Sequence, residues 1–117
     1  MRDFRKYDIW QDSIDLVDEM YDLVDSFPAQ EKYGLVSQIL RASVSIPSNI
    51  AEGSSRESEK DFARFLQIAL GSSFELETQI TIAIRRNYVV KKLGNDTILK
   101  IQSLQKRIYG LKRKLKE

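Results

Sequence analysis

A set of polar side chains occurs at helical spacing in the middle of the chain. Its central members are separated by four, four and three residues, and they are Arg41, Ser45, Asn49 and Glu52. This spacing places them near one face of an α-helix, where a guanidinium group can meet hydroxyl, amide and carboxylate partners. The same stretch adds Gln38, Pro47, Gly53 and Arg56, and Glu75, Glu77 and Gln79 on a later helix could meet it. The set predicts either a hydrogen-bonded network that fixes the local backbone, or a subunit interface or ligand-facing rim.

Residue types that usually carry catalysis are missing. The chain contains no histidine and no cysteine, which removes the usual general base, thiolate chemistry, disulfides and most metal sites. No glycine-rich phosphate loop is present. Glu75 and Glu77 are two residues apart and point to different faces of a helix, so they do not form a ready acid–base pair. We therefore expect neither an enzyme nor a bound cofactor or metal.

Positive charge is concentrated in the last third of the chain. Residues 1–84 carry 8 basic and 15 acidic side chains, whereas residues 85–117 carry 11 basic and 2 acidic ones. Ten of these basic residues fall into two groups: Arg85, Arg86, Lys91 and Lys92, then Lys106, Arg107, Lys112, Arg113, Lys114 and Lys116. Such asymmetry predicts a face that contacts nucleic-acid phosphates. The candidate phosphate-binding residues are Arg85, Arg86, Lys106, Arg107, Lys112, Arg113 and Lys114.

An acidic first helix offers another explanation for this charge. Seven acids and no base lie between Asp8 and Asp25. In a bundle the first and fourth helices are neighbours, so these acids could neutralise a solvated basic face. The sequence leaves both interpretations open.

Apolar periodicity predicts the elements that position these groups. Residues 8–27 form a first amphipathic helix that Pro28 ends. A second helix starts near Glu31 or Tyr33 and keeps its apolar phase through Pro47, which predicts a continuous, kinked helix. The alternative is that Pro47 begins a new helix. Gly53 is expected to close the second helix in the left-handed conformation.

The last two helices have their own start and stop signals. Either Ser54 with Glu57 or Ser58 with Asp61 begins the third helix, which runs to about Arg86 with Asn87 as its C-terminal cap. Its small residues Gly71, Ser72 and Ser73 predict close approach of a neighbouring helix. Residues 88–95 form a connector, and Asn95 or Asp96 caps the fourth helix. The aromatic residues expected in the core are Trp10, Tyr21, Phe62 and Phe65.

Together these elements predict an all-α fold. Four helices with short connections favour an antiparallel up-down-up-down four-helix bundle with a proline-kinked second helix, formed by residues 1–117 as one domain. The sequence shows no signal peptide and no membrane-spanning segment. The absence of cysteine is compatible with a reducing cytoplasm, where we expect the protein to act.

A family resemblance covers nearly the whole chain. Its core is the segment Ser45-Ile46-Pro47-Ser48-Asn49-Ile50-Ala51-Glu52-Gly53, and further matching positions are Phe27-Pro28, Glu31, Tyr33-Gly34-Leu35, Gln38, Arg41, Arg56, Phe62, Phe65, Leu66, Ala69, Gly71-Ser72 and Glu75-Leu76-Glu77. These residues resemble the family of 23S rRNA intervening-sequence proteins. The resemblance implies a closed four-helix bundle whose role is unknown and which assembles as a pentamer in some members.

A protein of similar fold adds an expectation about binding partners. The accessory protein of diversity-generating retroelements is similar in fold to this family; it is basic, pentameric and binds nucleic acid. We therefore expect a non-enzymatic, homo-oligomeric module that binds structured RNA or DNA and no membrane. The alternative is a structural assembly or adaptor protein with no role for nucleic acid.

Overall fold

Four α-helices account for most of the structure, a computed structural model that describes residues 2–115. They are α1 (Asp8–Val24), α2 (Leu35–Ser54), α3 (Glu59–Arg85) and α4 (Lys91–Lys114). Short 3₁₀ helices at Phe4–Lys6 and Ala29–Glu31 precede α1 and α2. No strand occurs in the described part of the chain, which confirms the predicted all-α fold. None of its helices has the length and hydrophobicity needed to span a membrane.

The helices pack around one apolar core. Each helix contacts the next along the chain, and α1 also contacts α4. Hydrogen bonds between α3 and α4 pair an earlier residue of one helix with a later residue of the other: Ser73 with Gln105, and Glu77 with Gln102. Such pairs agree with antiparallel neighbours, while the full up-down-up-down order stays a prediction. Side chains with no solvent exposure form the centre of the core: Met20, Ile39, Ile46, Ile50, Phe62, Leu66, Leu76, Ile80, Ile101 and Ile108.

Helix α2 continues through its internal proline. The α-helix extends without interruption across Pro47, whose side chain is buried, so the alternative of a new helix starting at this residue is wrong. Burial of Ile46 and Ile50 on the two sides of the proline keeps the helix in register with the core. A bend at Pro47 stays a prediction. The helix starts at Leu35, later than expected, because residues 29–31 form a 3₁₀ turn.

Gly53 has a different role from the one predicted. It lies inside α2, which ends at Ser54, and no glycine in the described residues has a positive φ. A Cβ atom at Gly53 would lie 2.7 Å from Cβ of Phe65 and 3.0 Å from Cδ1 of Phe62. The glycine is therefore required by the close approach of α3 to α2 and not by backbone conformation.

The ends of α3 follow local signals. Ser58 is the N-cap, because its hydroxyl accepts a hydrogen bond of 3.0 Å from the backbone N–H of Asp61; the start at Ser54 is wrong, since that residue ends α2. Asn87 has a φ of 62°, and the N–H of Tyr88 donates to the carbonyl of Ala83 at 2.9 Å. This left-handed residue after the helix confirms the predicted C-terminal cap.

Helix α4 starts earlier than predicted from its candidate capping residues, Asn95 and Asp96. It begins at Lys91, so Asn95 and Asp96 lie inside the helix and neither caps it. The N-cap Val90 makes no side-chain capping hydrogen bond. Packing positions this turn instead, because Gly94 is buried so closely against Ile84 that a Cβ would lie 2.5 Å from its Cγ1.

Two further expectations are wrong in part. Phe62 and Phe65 are buried and Trp10 packs against the core, but Tyr21 is 52% exposed because it lies on the outer side of α1. Among the small residues of α3, Ser72 bonds Ser45 of α2 and Ser73 is fully buried. Gly71 is exposed, and no atom would lie within 4 Å of a Cβ built there. It is therefore not explained by contacts within one chain.

Replacing Gly53 or Gly71 with alanine should have opposite effects on the free energy of unfolding. Gly53→Ala should lower the free energy of unfolding by about 1–3 kcal/mol, because the added methyl group overpacks against Phe62 and Phe65. Gly71→Ala is the matched control and should raise the monomer's stability by about 0.5–1 kcal/mol through helix propensity. Urea unfolding followed by circular dichroism measures both. Equal effects of the two substitutions would contradict this account.

Candidate functional site

The basic side chains of the last third do not form one patch. Arg85 is the last residue of α3 and Arg86 follows it, shortly before the start of α4, whereas residues 112–114 end α4. Along α4, Lys91 and Arg113 are separated by roughly 33 Å at about 1.5 Å per residue, and the molecule is 44 Å long. The predicted site is therefore divided between opposite ends of the bundle. Lys116, also in the predicted basic group, lies outside the described residues.

Part of the basic charge is neutralised within the chain. Nη1 of Arg107 lies 2.6 Å from Oδ2 of Asp12, and Lys100 pairs with Glu19. Both pairs join the acidic face of α1 to α4, as the alternative interpretation of the sequence expected. The hydrogen bond from Lys100 to Glu19, and then the negative charge of Glu19, raise the pKa of Lys100 above its ordinary value of 10.5. Arg107 is thus held by an acid and is a poor phosphate-binding candidate.

Other cations join the C-terminal group through the fold. Lys60 and Arg64, from the first turns of α3, line a groove of about 500 Å³ together with Lys112 of α4. Within residues 2–115, four cations at this end form no ion pair: Lys60, Lys112, Arg113 and Lys114. Arg64 pairs weakly with Asp61 at 3.5 Å. We call Lys60, Arg64, Lys112, Arg113 and Lys114 the basic end.

Lys60 and Arg64 were not among the predicted phosphate-binding residues, because acidic residues lie next to them in the sequence. Glu57, Glu59 and Asp61 flank them along the chain, so the segment has no excess of positive charge. The signal that could have found them is the antiparallel order of α3 and α4. That order places the start of one helix beside the end of the other.

The polar set of the motif separates into a network and a pair. Nδ2 of Asn49 donates to the carbonyl and hydroxyl of Ser45 at 2.8 and 3.0 Å, and the Ser45 hydroxyl bonds that of Ser72 at 2.8 Å. This network joins α2 to α3. Farther along, Arg56 pairs with Glu52 at 2.8 Å. Gln38 and Arg41 take no part in either group among the described residues.

Arg56 also fixes the start of the chain and the turn after α2. Its guanidinium lies over the ring of Phe65 at 4.6 Å, and Arg64 approaches the same ring at the same distance. The carbonyl of Arg56 accepts a hydrogen bond of 2.6 Å from Nη1 of Arg2. Arg2 in turn lies 4.8 Å from the ring centre of Phe62. These contacts favour a structural role for this end of the motif.

A polar groove lies between the first half of α2 and the second half of α3. Its volume is about 470 Å³, and its lining includes Tyr33, Ser37, Gln38, Arg41, Ser45, Glu75 and Gln79. Gln79 is only 5% exposed, and its Oε1 atom has no hydrogen-bond partner among the described residues. A buried acceptor without a partner costs about 1–3 kcal/mol. We call these residues the polar groove.

The charged members of the polar groove are also unpaired. Arg41 and Glu75 are exposed, and neither forms an ion pair within residues 2–115. Glu77, two residues along, instead faces α4 and accepts hydrogen bonds from Gln102 and Gln105 at 3.1 and 2.9 Å. The groove therefore presents the guanidinium of Arg41 and the carboxylate of Glu75, whereas the amide oxygen of Gln79 is buried in its wall. The described residues contain no group of three or more metal-ligating side chains.

The Lys100–Glu19 pair predicts a pH-dependent effect. Because the pKa of Lys100 is raised in the folded protein, its positive charge stabilises the fold at pH values below its unfolded-state pKa near 10.5. This stabilisation is lost as the pH rises through the folded-state pKa of Lys100. Glu19→Gln should therefore lower the unfolding free energy at pH 8 by less than about 1 kcal/mol, because the pair is solvent-exposed. The difference should shrink towards pH 11. Asp18→Asn, which removes an acid unpaired within residues 2–115, is the control in urea unfolding; an equal loss at both pH values would contradict the assignment.

Comparison with known proteins identifies the family. The model of the 23S rRNA-intervening sequence protein family matches residues 5–110. A solved structure of a protein of unknown function from the S23 ribosomal protein family of Bacteroides thetaiotaomicron VPI-5482 has a TM-score of 0.79 and 24% sequence identity, covering 88% of this chain and 96% of that one. No curated protein matches the chain. Similarity to the accessory protein of diversity-generating retroelements stays a prediction. The match across residues 5–110 shows that the chain belongs to the 23S rRNA-intervening sequence protein family.

Proposed function

We propose that this protein is a non-enzymatic, oligomeric module that binds structured RNA or other nucleic acid through its basic end. The observation that carries the proposal is the groove that Lys60 and Arg64 of α3 line together with Lys112 of α4, next to Arg113 and Lys114 in the last turn of α4. Four of these five cations form no ion pair in the described residues. Lysine and arginine side chains of this kind neutralise backbone phosphates and release bound counterions. The lack of histidine and cysteine in the chain supports a binding role over catalysis.

The opposite end of the bundle is a weaker candidate. Arg85, Arg86 and Lys91 are exposed there, but Lys92 approaches Asp96 at 3.5 Å, and Glu31 accepts a hydrogen bond of 3.0 Å from the nearby hydroxyl of Tyr88. Phosphate binding should therefore be dominated by the basic end. We place the protein in the cytoplasm as part of the same proposal.

Charge reversal at the basic end tests the proposal. The triple variant Lys112→Glu, Arg113→Glu and Lys114→Glu should weaken binding at low salt at least about tenfold, because each lost phosphate contact removes a favourable counterion release. The slope of log K against log salt should decrease by roughly 1 for each contact removed. Fluorescence anisotropy with an RNA hairpin and a DNA duplex of equal length, at several salt concentrations, measures both quantities.

The control reverses charge at the other end of the molecule. Arg85→Glu with Arg86→Glu should change affinity much less than the triple variant. If the double variant loses as much affinity as the triple variant, the site is not confined to the basic end. Unchanged affinity of the triple variant would contradict the site assignment, and no binding to either nucleic acid at low salt would contradict the function.

A second candidate function is structural assembly without nucleic acid. The observation that favours it is the outer face of α3, where Ile68, Phe74 and Ile82 are each about half exposed around Gly71. An exposed glycine within a helix costs about 1 kcal/mol relative to alanine, and close contact with a second copy would compensate that cost. Such a contact supports the oligomer, for which family resemblance suggests a pentamer.

Light scattering distinguishes an apolar interface from a charge-held one. Phe74→Glu should reduce the oligomeric mass, because the new charge would be buried in the interface. Tyr21→Glu is the matched control, since Tyr21 is similarly exposed on α1, and it should leave the mass unchanged. An oligomer held by ion pairs would dissociate at high salt, whereas one held by the outer face of α3 should persist. Unchanged mass of the Phe74 variant would contradict the proposed interface.

A further inference from the structure

We propose that α3 of one copy packs against α3 of a second copy, antiparallel and related by a two-fold axis that passes between their Gly71 residues. The proposal rests on the second candidate function and deepens it, because it names the partner surface as the same face of another copy. This face is centred on Gly71. Side chains exposed on it lie within about 60° of Gly71 around the helix axis, and they include Arg64, Ile68, Phe74, Glu75, Thr78 and Ile82.

Gly71 marks the point where another backbone can approach most closely. Glycine lowers helix propensity inside a helix, and it occurs there when a neighbouring group must come close to the backbone. Gly53 shows this use within the chain, since it admits Phe62 and Phe65 to α2. No atom would lie within 4 Å of a Cβ built at Gly71. The group that this second glycine admits therefore comes from outside the chain.

Apolar side chains flank the glycine symmetrically. Ile68 and Phe74 lie three residues before and after it, which is about 4.5 Å along the helix axis in opposite directions. Antiparallel packing therefore brings Ile68 of one copy level with Phe74 of the other, and the two-fold axis repeats this contact. The two residues are 42% and 54% exposed in the single chain. Their mutual contact removes four large apolar side chains from water.

Charged side chains on the same face favour the antiparallel orientation. Glu75 forms no ion pair within residues 2–115, and Arg64 has only a contact of 3.5 Å with Asp61. In the antiparallel pair, Arg64 of one copy lies on the same side of the contact as Glu75 of the other, displaced by about 5 Å along the axis. A parallel pair would instead place each of these charges beside its own counterpart, where like charges repel.

The symmetry of this contact limits the size of the assembly. A two-fold contact uses the same patch on both copies and is complete with two of them, whereas a ring of five joins two different patches of each copy. The expected assembly is therefore a dimer, or an even-numbered assembly if a second surface joins dimers. In a ring, Gly71 would not face its own counterpart.

Disulfide cross-linking tests the two-fold axis directly, because the chain has no cysteine of its own. Gly71→Cys should form a linked dimer under mild oxidation, since the axis places the two Cα atoms within the reach of about 7 Å that a disulfide spans. Thr78→Cys is the matched control on the same exposed face. Its counterpart lies roughly 21 Å away in the antiparallel pair, so it should remain unlinked on a non-reducing gel.

A charge exchange tests the orientation independently. Arg64→Glu and Glu75→Arg should each weaken dimerisation roughly fivefold at low salt, because each places like charges together twice in the contact. The double variant exchanges the two charges and should restore dimerisation to nearly the native value. Sedimentation equilibrium measures the dissociation constants. Additive losses in the double variant would overturn the pairing of Arg64 with Glu75.

Failure of this proposal differs from failure of either proposed function. If Phe74→Glu lowers the mass but Gly71→Cys links no better than Thr78→Cys, the outer face of α3 contacts a different surface; the two-fold contact is overturned and assembly stands. Strong linking of both variants would indicate a parallel pair, and a five-copy mass would indicate a ring, so each would overturn the proposal. Selective linking of Gly71→Cys without any RNA binding would support this contact and contradict the nucleic-acid function.

Discussion

The close approach of α2 and α3 is the constraint on which the rest of the structure depends. Gly53 allows Phe62 and Phe65 to pack directly on the backbone of α2, and burial of each aromatic ring contributes about 1.5–3 kcal/mol. Ser45 and Ser72 join the two helices farther along with a hydrogen bond of 2.8 Å. Because the helices are held together at these points, their remaining polar side chains face the groove nearer the start of α2. Packing at one end of the helix pair thereby leaves a groove at the other.

The charge distribution follows from the same helix order. Two acids of α1 meet bases of α4, in the pairs Asp12–Arg107 and Glu19–Lys100. Beyond the paired region, the last turn of α4 lies beside the first turns of α3, and the bases there have fewer acidic partners. The net charge of +2 therefore conceals an acidic first helix and a basic end. Phosphate contact, where it occurs, is expected where the pairing stops.

The two candidate surfaces differ in their chemistry. The basic end offers lysine and arginine side chains that suit a phosphate backbone of any sequence. The polar groove offers one cation and one carboxylate, Arg41 and Glu75, both exposed and unpaired within residues 2–115. An oligomer formed through the outer face of α3 would repeat both surfaces around its axis.

The sequence by itself determined the helical class and the cap at Asn87, and it favoured the continuity of α2 through Pro47, because these depend on periodicity and on hydrogen bonds between near neighbours. It left the cap of α3 open between Ser54 and Ser58, and the structure selects Ser58. It also identified the motif residues of the family. Gly53 and the start of α4 were assigned wrongly, since packing against residues distant in the chain decides both. Only the tertiary structure paired Arg107 with Asp12, brought Lys60 and Arg64 beside Lys112, and left the oxygen of Gln79 without a partner in the described residues. Those outcomes depend on which helix faces meet, and helix spacing along the chain does not specify that.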